Sequence, residues 1–247
     1  MTKHLRITIL ALLATTVFHA TAQTTDSAEW VVARYMSLMN YDALPHDQMI
    51  EITTLVTSSA MPNDTGMVRR YYALPNSYRV EVWYGDTLYD AWHNDGTKIY
   101  RHYDAAQRQW VDASEIFYYD HIMGYDFRGP LYHRTTNGTI LVYGGKATFE
   151  GHPIYRVSAT TPSMFDREYY FEQQSGLLFL YVEKETTYGD EQVDAASHVD
   201  WRSIEEYLPL GESLIVAREI YQQDIFRTTL LHQPRLLPIN RSLFADD

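Results

Sequence analysis

Apolar and polar positions follow two different periods along this chain. Between Asp26 and Tyr41, Trp30, Val31, Arg34, Tyr35, Leu38 and Met39 recur at helical spacing and make one broad stripe, mostly apolar but carrying Arg34. Asp26 or Ser27 stands where an N-cap is needed, and Asn40 and Pro45 stand where a helix stops. From Met49 onward the period falls to two. Strands are expected at Met49 to Thr57 and Met67 to Ala73, with MPNDTG as the turn between them. A meander follows. Tyr78, Val80, Val82 and Tyr84 alternate with Arg79, Glu81 and Trp83, and Gly85-Asp86 turns the chain. Leu88, Asp90 and Trp92 alternate with Tyr89, Ala91 and His93, Asn94-Asp95-Gly96 is a hairpin signal, and Ile99 to Tyr103 is the next strand.

A second helix is expected from Asp112, an N-cap with Glu115 placed as in a capping box, to Gly124. Ile116, Tyr119, Asp120 and Met123 share its face, so its stripe is imperfect. Asn137-Gly138 and Gly144-Gly145 punctuate further strands. The remaining ones are expected at Ile154 to Ala159, Arg167 to Glu172, Leu177 to Glu183, Ser197 to Ile204, Leu214 to Tyr221 and Asp224 to Leu231. Ten or eleven strands at hairpin spacing, with no alternation of strand and helix, predict a mostly antiparallel sheet in one domain over residues 23–247. One strand breaks the alternation. Leu177 to Val182 is apolar at every position, which demands cover on both faces. It reads first as a well-buried central strand and second as a surface that meets a partner.

The first 22 residues stand apart from this pattern. Lys3 and Arg6 precede an apolar run from Ile7 to Phe18, too short to span a bilayer, and Ala20-Thr21-Ala22 is a small-x-small cleavage signal. Residues 1–22 therefore read as a secretory signal peptide. Its removal takes two positive charges and no acidic ones, moving the formal net charge from −12 to −14. So acidic a chain disfavours nucleic acid and anionic membrane surfaces as partners. No later segment is long and apolar enough for membrane insertion. The absence of cysteine excludes thiolate metal sites, thiol catalysis and a lipidated N-terminal Cys. Export without cysteine fits a periplasm, and the sequons at Asn63, Asn137 and Asn240 then read as chance matches.

Signals for catalysis are sparse. G-x-S-x-G, H-E-x-x-H and G-x-G-x-x-G are all missing, and no cofactor is called for. Gly144-Gly145-Lys146-Ala147 lacks the first glycine and the Ser/Thr of a phosphate-binding loop and reads as a turn. His121 with Asp120 and Asp126, and His198 with Asp194 and Asp200, have no ligand spacing that specifies a metal. Glu205 and Glu206, adjacent on a strand, face opposite ways and make poor partners for one site. The 21 tyrosines are the more distinctive feature. Most suit half-buried strands, and a few can line an apolar cavity.

The order of these features resembles the LolA/LolB-like outer-membrane lipoprotein-sorting superfamily. The helix AEWVVARYMSLM is followed by YYALPNSYRVEVWYGDTLYDAWHNDGTKIY, later by GKATFEGHPIYRV and REYYFEQQSGLLFLY, and then by HVDWRSIEEYLPLGESLI, over roughly residues 27–244. The resemblance implies a mainly β (α+β) fold, with a single curved antiparallel sheet forming a half-barrel and two helices plugging its concave face. It also implies a cavity that takes up the acyl chains of a lipid or lipoprotein. Carriers of this kind hold a lid with an arginine inside the cavity, and Arg69, Arg79 and Arg156 are candidates. Tyr78, Val80, Val82 and Leu88 are the candidate ligand-binding residues. Alternation groups the first three on one face without saying whether that face is concave. Three function classes follow: a periplasmic, non-enzymatic lipid or lipoprotein carrier; an envelope module or sensor of the same fold that binds a protein; and a hydrolase using carboxylates such as Asp120 or Asp200, which has no motif behind it.

Overall fold

Ser27 opens the first helix, its hydroxyl accepting from the Trp30 N–H at 3.1 Å. This helix, α1 (Ala28–Met39), ends where Asn40 turns left-handed (φ 50°) and sends its N–H back to the Met36 carbonyl. Ala28, Val31, Val32, Tyr35 and Met39 form its buried face: Val31, Tyr35 and Met39 of the predicted stripe are packed, Arg34 is half-buried, Trp30 and Leu38 are exposed, and Ala28 and Val32 complete the face. The computed structural model describes residues 26–58, 65–75, 77–96, 100–104, 106–112, 127–129, 131–161, 166–184, 199–221 and 226–245. The signal-peptide segment, the second helix expected after Asp112, and His121 and His198 with their acidic neighbours Asp120, Asp126 and Asp194 lie outside these residues.

The described strands are β1 (Gln48–Ser58), β2 (Gly66–Ala73), β3 (Ser77–Tyr84), β4 (Thr87–Asn94), β5 (Tyr100–Asp104), β6 (Gln109–Asp112), β7 (Ile140–Phe149), β8 (His152–Thr160), β9 (Asp166–Glu172), β10 (Leu178–Lys184), β11 (Val199–Leu210), β12 (Ser213–Tyr221), β13 (Phe226–Leu230) and β14 (Arg235–Pro238). A four-residue helix, α2 (Arg134–Asn137), precedes β7. All fourteen strands join one sheet in the order β6-β5-β4-β3-β2-β1-β13-β12-β11-β10-β9-β8-β7, with β14 also on β1. Every pairing is antiparallel, and among the described residues the end strands β6 and β7 do not meet, so the sheet is an open half-barrel. Two local meanders, β1–β6 and β7–β13, are joined where β1 meets β13 and β14.

The sheet curls around α1. Asp26, just before the helix, pairs with Lys146 of β7 at 2.6 Å. Trp30 meets Tyr155 of β8 edge-on at 5.6 Å, and Tyr35 packs on Phe171 of β9 at 5.4 Å. Arg34 donates to the Gln173 and Gln174 carbonyls in the β9–β10 turn at 3.0 and 2.7 Å. Asn40 donates to Glu212 in the β11–β12 turn at 3.1 Å, and the Ser213 hydroxyl donates to the Asn40 carbonyl at 2.7 Å. Twelve helical residues rise about 18 Å. Five strand-to-strand steps from β7 to β12 would take about 24 Å on a flat sheet, so contacts at both ends require curvature toward the helix.

Sequence expectations fail at three places, each for a local reason. Gly144-Gly145 is not a turn: β7 runs straight through it as a bulge, with the register slipping between Tyr143 and Gly145. Gly145 sits at φ 89°, and a Cβ on Gly144 would stand 3.0 Å from that of Arg156, so both glycines are backbone requirements. Likewise β11 does not stop at Ile204 but continues through Pro209, slipping register around Glu206. That slip also brings the Glu205 and Glu206 carboxylates to one cation, Arg218, at 3.8 and 3.3 Å, where simple alternation would part them. Finally, the described strands outnumber ten or eleven: β6 and β14 have no predicted counterpart, and β7 is expected only as strands broken at Gly144-Gly145.

The apolar run on β10 is explained by the same kind of irregularity. A bulge between Leu178 and Leu180 breaks the period of two. Leu178 and Tyr181 pack into the main core with the helix, while Leu180 and Val182 are buried on the opposite face, Leu180 opposite Tyr170 and Val182 opposite Glu168. Between them, Phe179 meets Phe149 and His152 at ring distances of 6.0 and 5.3 Å. The strand is central and covered on both sides.

Candidate functional site

Cross-strand register divides the sheet into a face that meets α1 and a face that does not. The inner face carries Ile50, Ile52, Val68, Tyr72, Tyr78, Val80, Tyr155, Val157, Tyr169, Phe171 and Leu178, which form the main core with α1. The 3-10 turn Tyr41–Ala43 and the segment around Phe127 to Tyr132 cover it over β2 and β3. There Tyr72 packs on Phe127 at 4.6 Å and its hydroxyl accepts from the Phe127 N–H, while Tyr41 donates to the Phe127 carbonyl.

Tyr78, Val80 and Val82 all lie on this inner face, the first two buried and Val82 half-buried between Val68 and Asp90. Leu88 does not join them. A bulge after Val82 sets Leu88 opposite Trp83, on the outer face. The three arginines named from the sequence are also on the outer face. Arg69 faces Glu81 in register and lies over the Trp83 ring. Arg79 donates to Glu81 at 2.8 Å and to the Leu243 carbonyl at 3.1 Å, with Trp110 beneath it. Arg156 reaches the Gly144 carbonyl at 2.8 Å and stands 3.9 Å from Glu168. A strand pattern groups such residues correctly but cannot say which group faces the core.

The inner-face arginines are Arg70, Arg167 and Arg202. Arg70 donates to the Thr54 hydroxyl at 3.0 Å. Arg167 and Arg202 both lie against the ring of Tyr181, each guanidinium carbon 5.7 Å from its centroid. Tyr181 stacks on Tyr169 at 5.8 Å, Tyr169 on Phe171 at 6.2 Å, and Phe171 meets Tyr35 of the helix. A path of rings thus descends from the apolar end under α1 to a polar end between β9, β10 and β11. At the far margin, Asp90 bonds to His102 Nε2 at 2.7 Å and accepts from Trp92 Nε1 at 3.1 Å, with Trp92 stacked on His102. Among the described residues no group of three or more His, Asp or Glu is placed to hold a metal ion.

The outer face of β1–β3 is covered by the segment after β13. Phe244 is buried against Met49 and Ala73, with Tyr71, Leu237, Ile239 and Leu243 around them. Arg235 pairs with the buried Glu51 at 2.5 Å. Burial raises the Tyr71 pKa above 10.0, helped by the Glu81 and Glu51 charges, and Tyr170 is raised by burial and by Glu168. Tyr132 and Tyr143 are raised too, chiefly by burial. A raised folded-state pKa means that the folded protein holds these protons more tightly than the unfolded chain. Their contribution is therefore intact below about pH 10 and is lost as pH rises through the folded values. Urea unfolding midpoints are expected to stay flat up to about pH 10 and then fall, with a shallower fall in Tyr170→Phe; a midpoint indifferent to alkali would contradict this.

No family model and no curated protein matches the chain in sequence. Solved structures do match in shape. A DUF1329 family protein from Desulfovibrio piger superposes with a TM-score of 0.59 at 8% identity, covering 90% of this chain and 98% of that one. A LolA superfamily protein from Nitrosomonas europaea gives 0.59 at 8%, covering 90% and 99%. A domain from Vibrio parahaemolyticus, described as an outer membrane lipoprotein-sorting protein, gives 0.55 at 9%, covering 85% and 93%. The chain has a LolA-like fold.

Proposed function

We propose that this chain, as a single exported domain over residues 23–247, is a non-enzymatic periplasmic carrier that holds the acyl part of a lipid or lipoprotein on the inner face of its half-barrel. The observation that carries this reading is the roof of that face. The twelve-residue helix α1 covers an apolar surface built by Val157, Phe171 and Leu178, and among the described residues its polar attachments include Asp26, Glu29, Arg34 and Asn40 near its ends and exposed side. Withdrawing such a helix uncovers apolar surface that an acyl chain can replace at about 0.8 kcal/mol per buried methylene, before costs. Tyr78, Val80 and Val82 extend the same surface. The fold shared with a LolA superfamily protein and a lipoprotein-sorting domain supports the reading, although fold alone does not assign function.

The test is lipid mass spectrometry on gently purified protein, beside a delipidated and refolded control offered a labelled fatty acyl probe. An acyl lipid at near-equal stoichiometry, or saturable probe uptake, is expected. A blank in both would move the assignment to the second reading, an envelope module that binds a protein. One feature favours that alternative. Edge strand β7 exposes Ile140 (65%) and Val142 (58%) beside an unpaired ladder edge, at least among the described residues, and such edges accept further strands.

A further inference from the structure

We propose that β7 is a self-association surface: two copies of this chain pair edge to edge about a two-fold axis at Leu141, continuing one antiparallel sheet across both. Four consecutive apolar residues, Ile140 to Tyr143, lie on this strand. Leu141 and Tyr143 pack against the main core on the inner face, while Ile140 and Val142 alternate to the outer face and are 65% and 58% exposed. The comparable run on β10 lies between β9 and β11, but β7 has a neighbour on one side only among the described residues. Sheet edges are ordinarily blunted by shortness, charge, proline or a bulge. The other end strand, β6, is four residues long and closes on Asp112. Ile140 to Tyr143 has none of these devices, and the bulge of β7 begins only after it.

The symmetry of this window selects its occupant. Gly138, left-handed at φ 73°, closes it on one side and the bulge at Gly144 on the other, and Leu141 lies midway between them. An unpaired ladder takes an extended strand, and an antiparallel copy of the same strand matches it face for face. Centred on Leu141, the pairing sets Ile140 opposite Val142 of the second copy, so the exposed outer side chains of each copy cover those of the other. On the inner face Leu141 meets Leu141 of the second copy. The acidity of the chain does not oppose this contact locally. The window is uncharged, and the nearest charged residues in sequence, Arg134 and Lys146, are already paired with Glu29 at 3.3 Å and Asp26 at 2.6 Å. Each flank therefore presents an ion pair rather than a bare charge. So short a ladder buries less than the about 800 Å² per partner of a standard stable interface, which makes the dimer a reversible one.

The test is sedimentation velocity on the purified chain from about 10 μM to about 1 mM, where a reversible monomer–dimer equilibrium is expected. Ile140→Lys/Val142→Lys sets like charges opposite one another across the two-fold and weakens the dimer about tenfold or more. Ile140→Lys/Val142→Glu sets opposite charges at the same places and restores it to within about threefold of the wild type. Both positions are exposed, and an unchanged circular dichroism spectrum shows that each variant is folded. The chain has no cysteine, so a single introduced one reads the register. Leu141→Cys is expected to cross-link two copies under mild oxidation, and Thr148→Cys, exposed on β7 beyond the bulge, is not. A monomer at every concentration overturns the self-pairing and leaves the edge to a different protein. A dimer indifferent to the two lysines, equal loss in both charge variants, or equal cross-linking at both cysteine positions overturns it as well. Failure here leaves the carrier reading standing, because β7 pairs through its edge and not through the surface under α1.

Discussion

Phe171→Ala is expected to destabilise the protein by about 3–5 kcal/mol, measured by urea unfolding. Phe171 is 0% exposed and is the ring on which Tyr35 of the helix packs. Tyr35 rests on its ring from above, Tyr169 stacks on it along the strand, and Leu178 faces it across the ladder. Truncation leaves a cavity under Tyr35, next to the point where Arg34 pins the helix to the β9–β10 turn. That turn cannot follow easily. Gly176 sits at φ 82°, and a Cβ there would stand 2.7 Å from Arg34 Nε, so backbone and guanidinium are already in close contact. Phe171→Leu, which keeps most of the volume, is expected to cost only a fraction as much. A loss below about 1 kcal/mol for the alanine variant would mean that the helix–sheet contact is loosely packed.

Glu81→Ala is the second large effect, a loss of about 3 kcal/mol by the same measurement. Glu81 is buried on the outer face, where one carboxylate oxygen accepts from Arg79 Nε at 2.8 Å and the other from Trp83 Nε1 at 3.0 Å. Removing it strands a mostly buried guanidinium and an indole N–H together. Glu81→Gln keeps an acceptor and is expected to be milder. The double variant Arg79→Ala/Glu81→Ala should lose less than the two single losses combined, because the second deletion removes the group that the first left without its acid. Strictly additive losses would show that the pair is not coupled.

Much of this architecture was legible in the chain. Helix α1 announces itself by its cap and stripe, and the β2–β4 meander by alternation between Gly, Asn and Asp turns, because both are local patterns. What alternation cannot supply is an origin. It placed Tyr78, Val80 and Val82 together, and it placed Arg79, Glu81 and Trp83 together, but only pairing with neighbours tells which set meets the helix. It also assumes an unbroken period of two. The bulges after Val82, at Gly144, at Leu178 and around Glu206 each shift parity. For that reason Leu88 falls opposite Trp83, and the doubly apolar β10 needs no partner to explain it. Arg167 and Arg202 gave no signal of their own; once the β9–β10–β11 register is known, their positions beside Tyr181 follow.

The joining of the two meanders at β1 governs how the chain must assemble. Within each meander, contacts are made between strands a few residues apart and close at small entropic expense. The seam is different: Thr57 and Arg227, 170 residues apart, face one another across it. During synthesis, the β1–β6 half can form its hairpins early, but β1 keeps an open edge and an uncovered Met49–Ala73 patch until Phe226–Phe244 arrive. Loop-closure entropy makes the seam the expected slow step of folding. It also makes the waiting β1 edge the place where an unfinished molecule is most exposed to pairing with another.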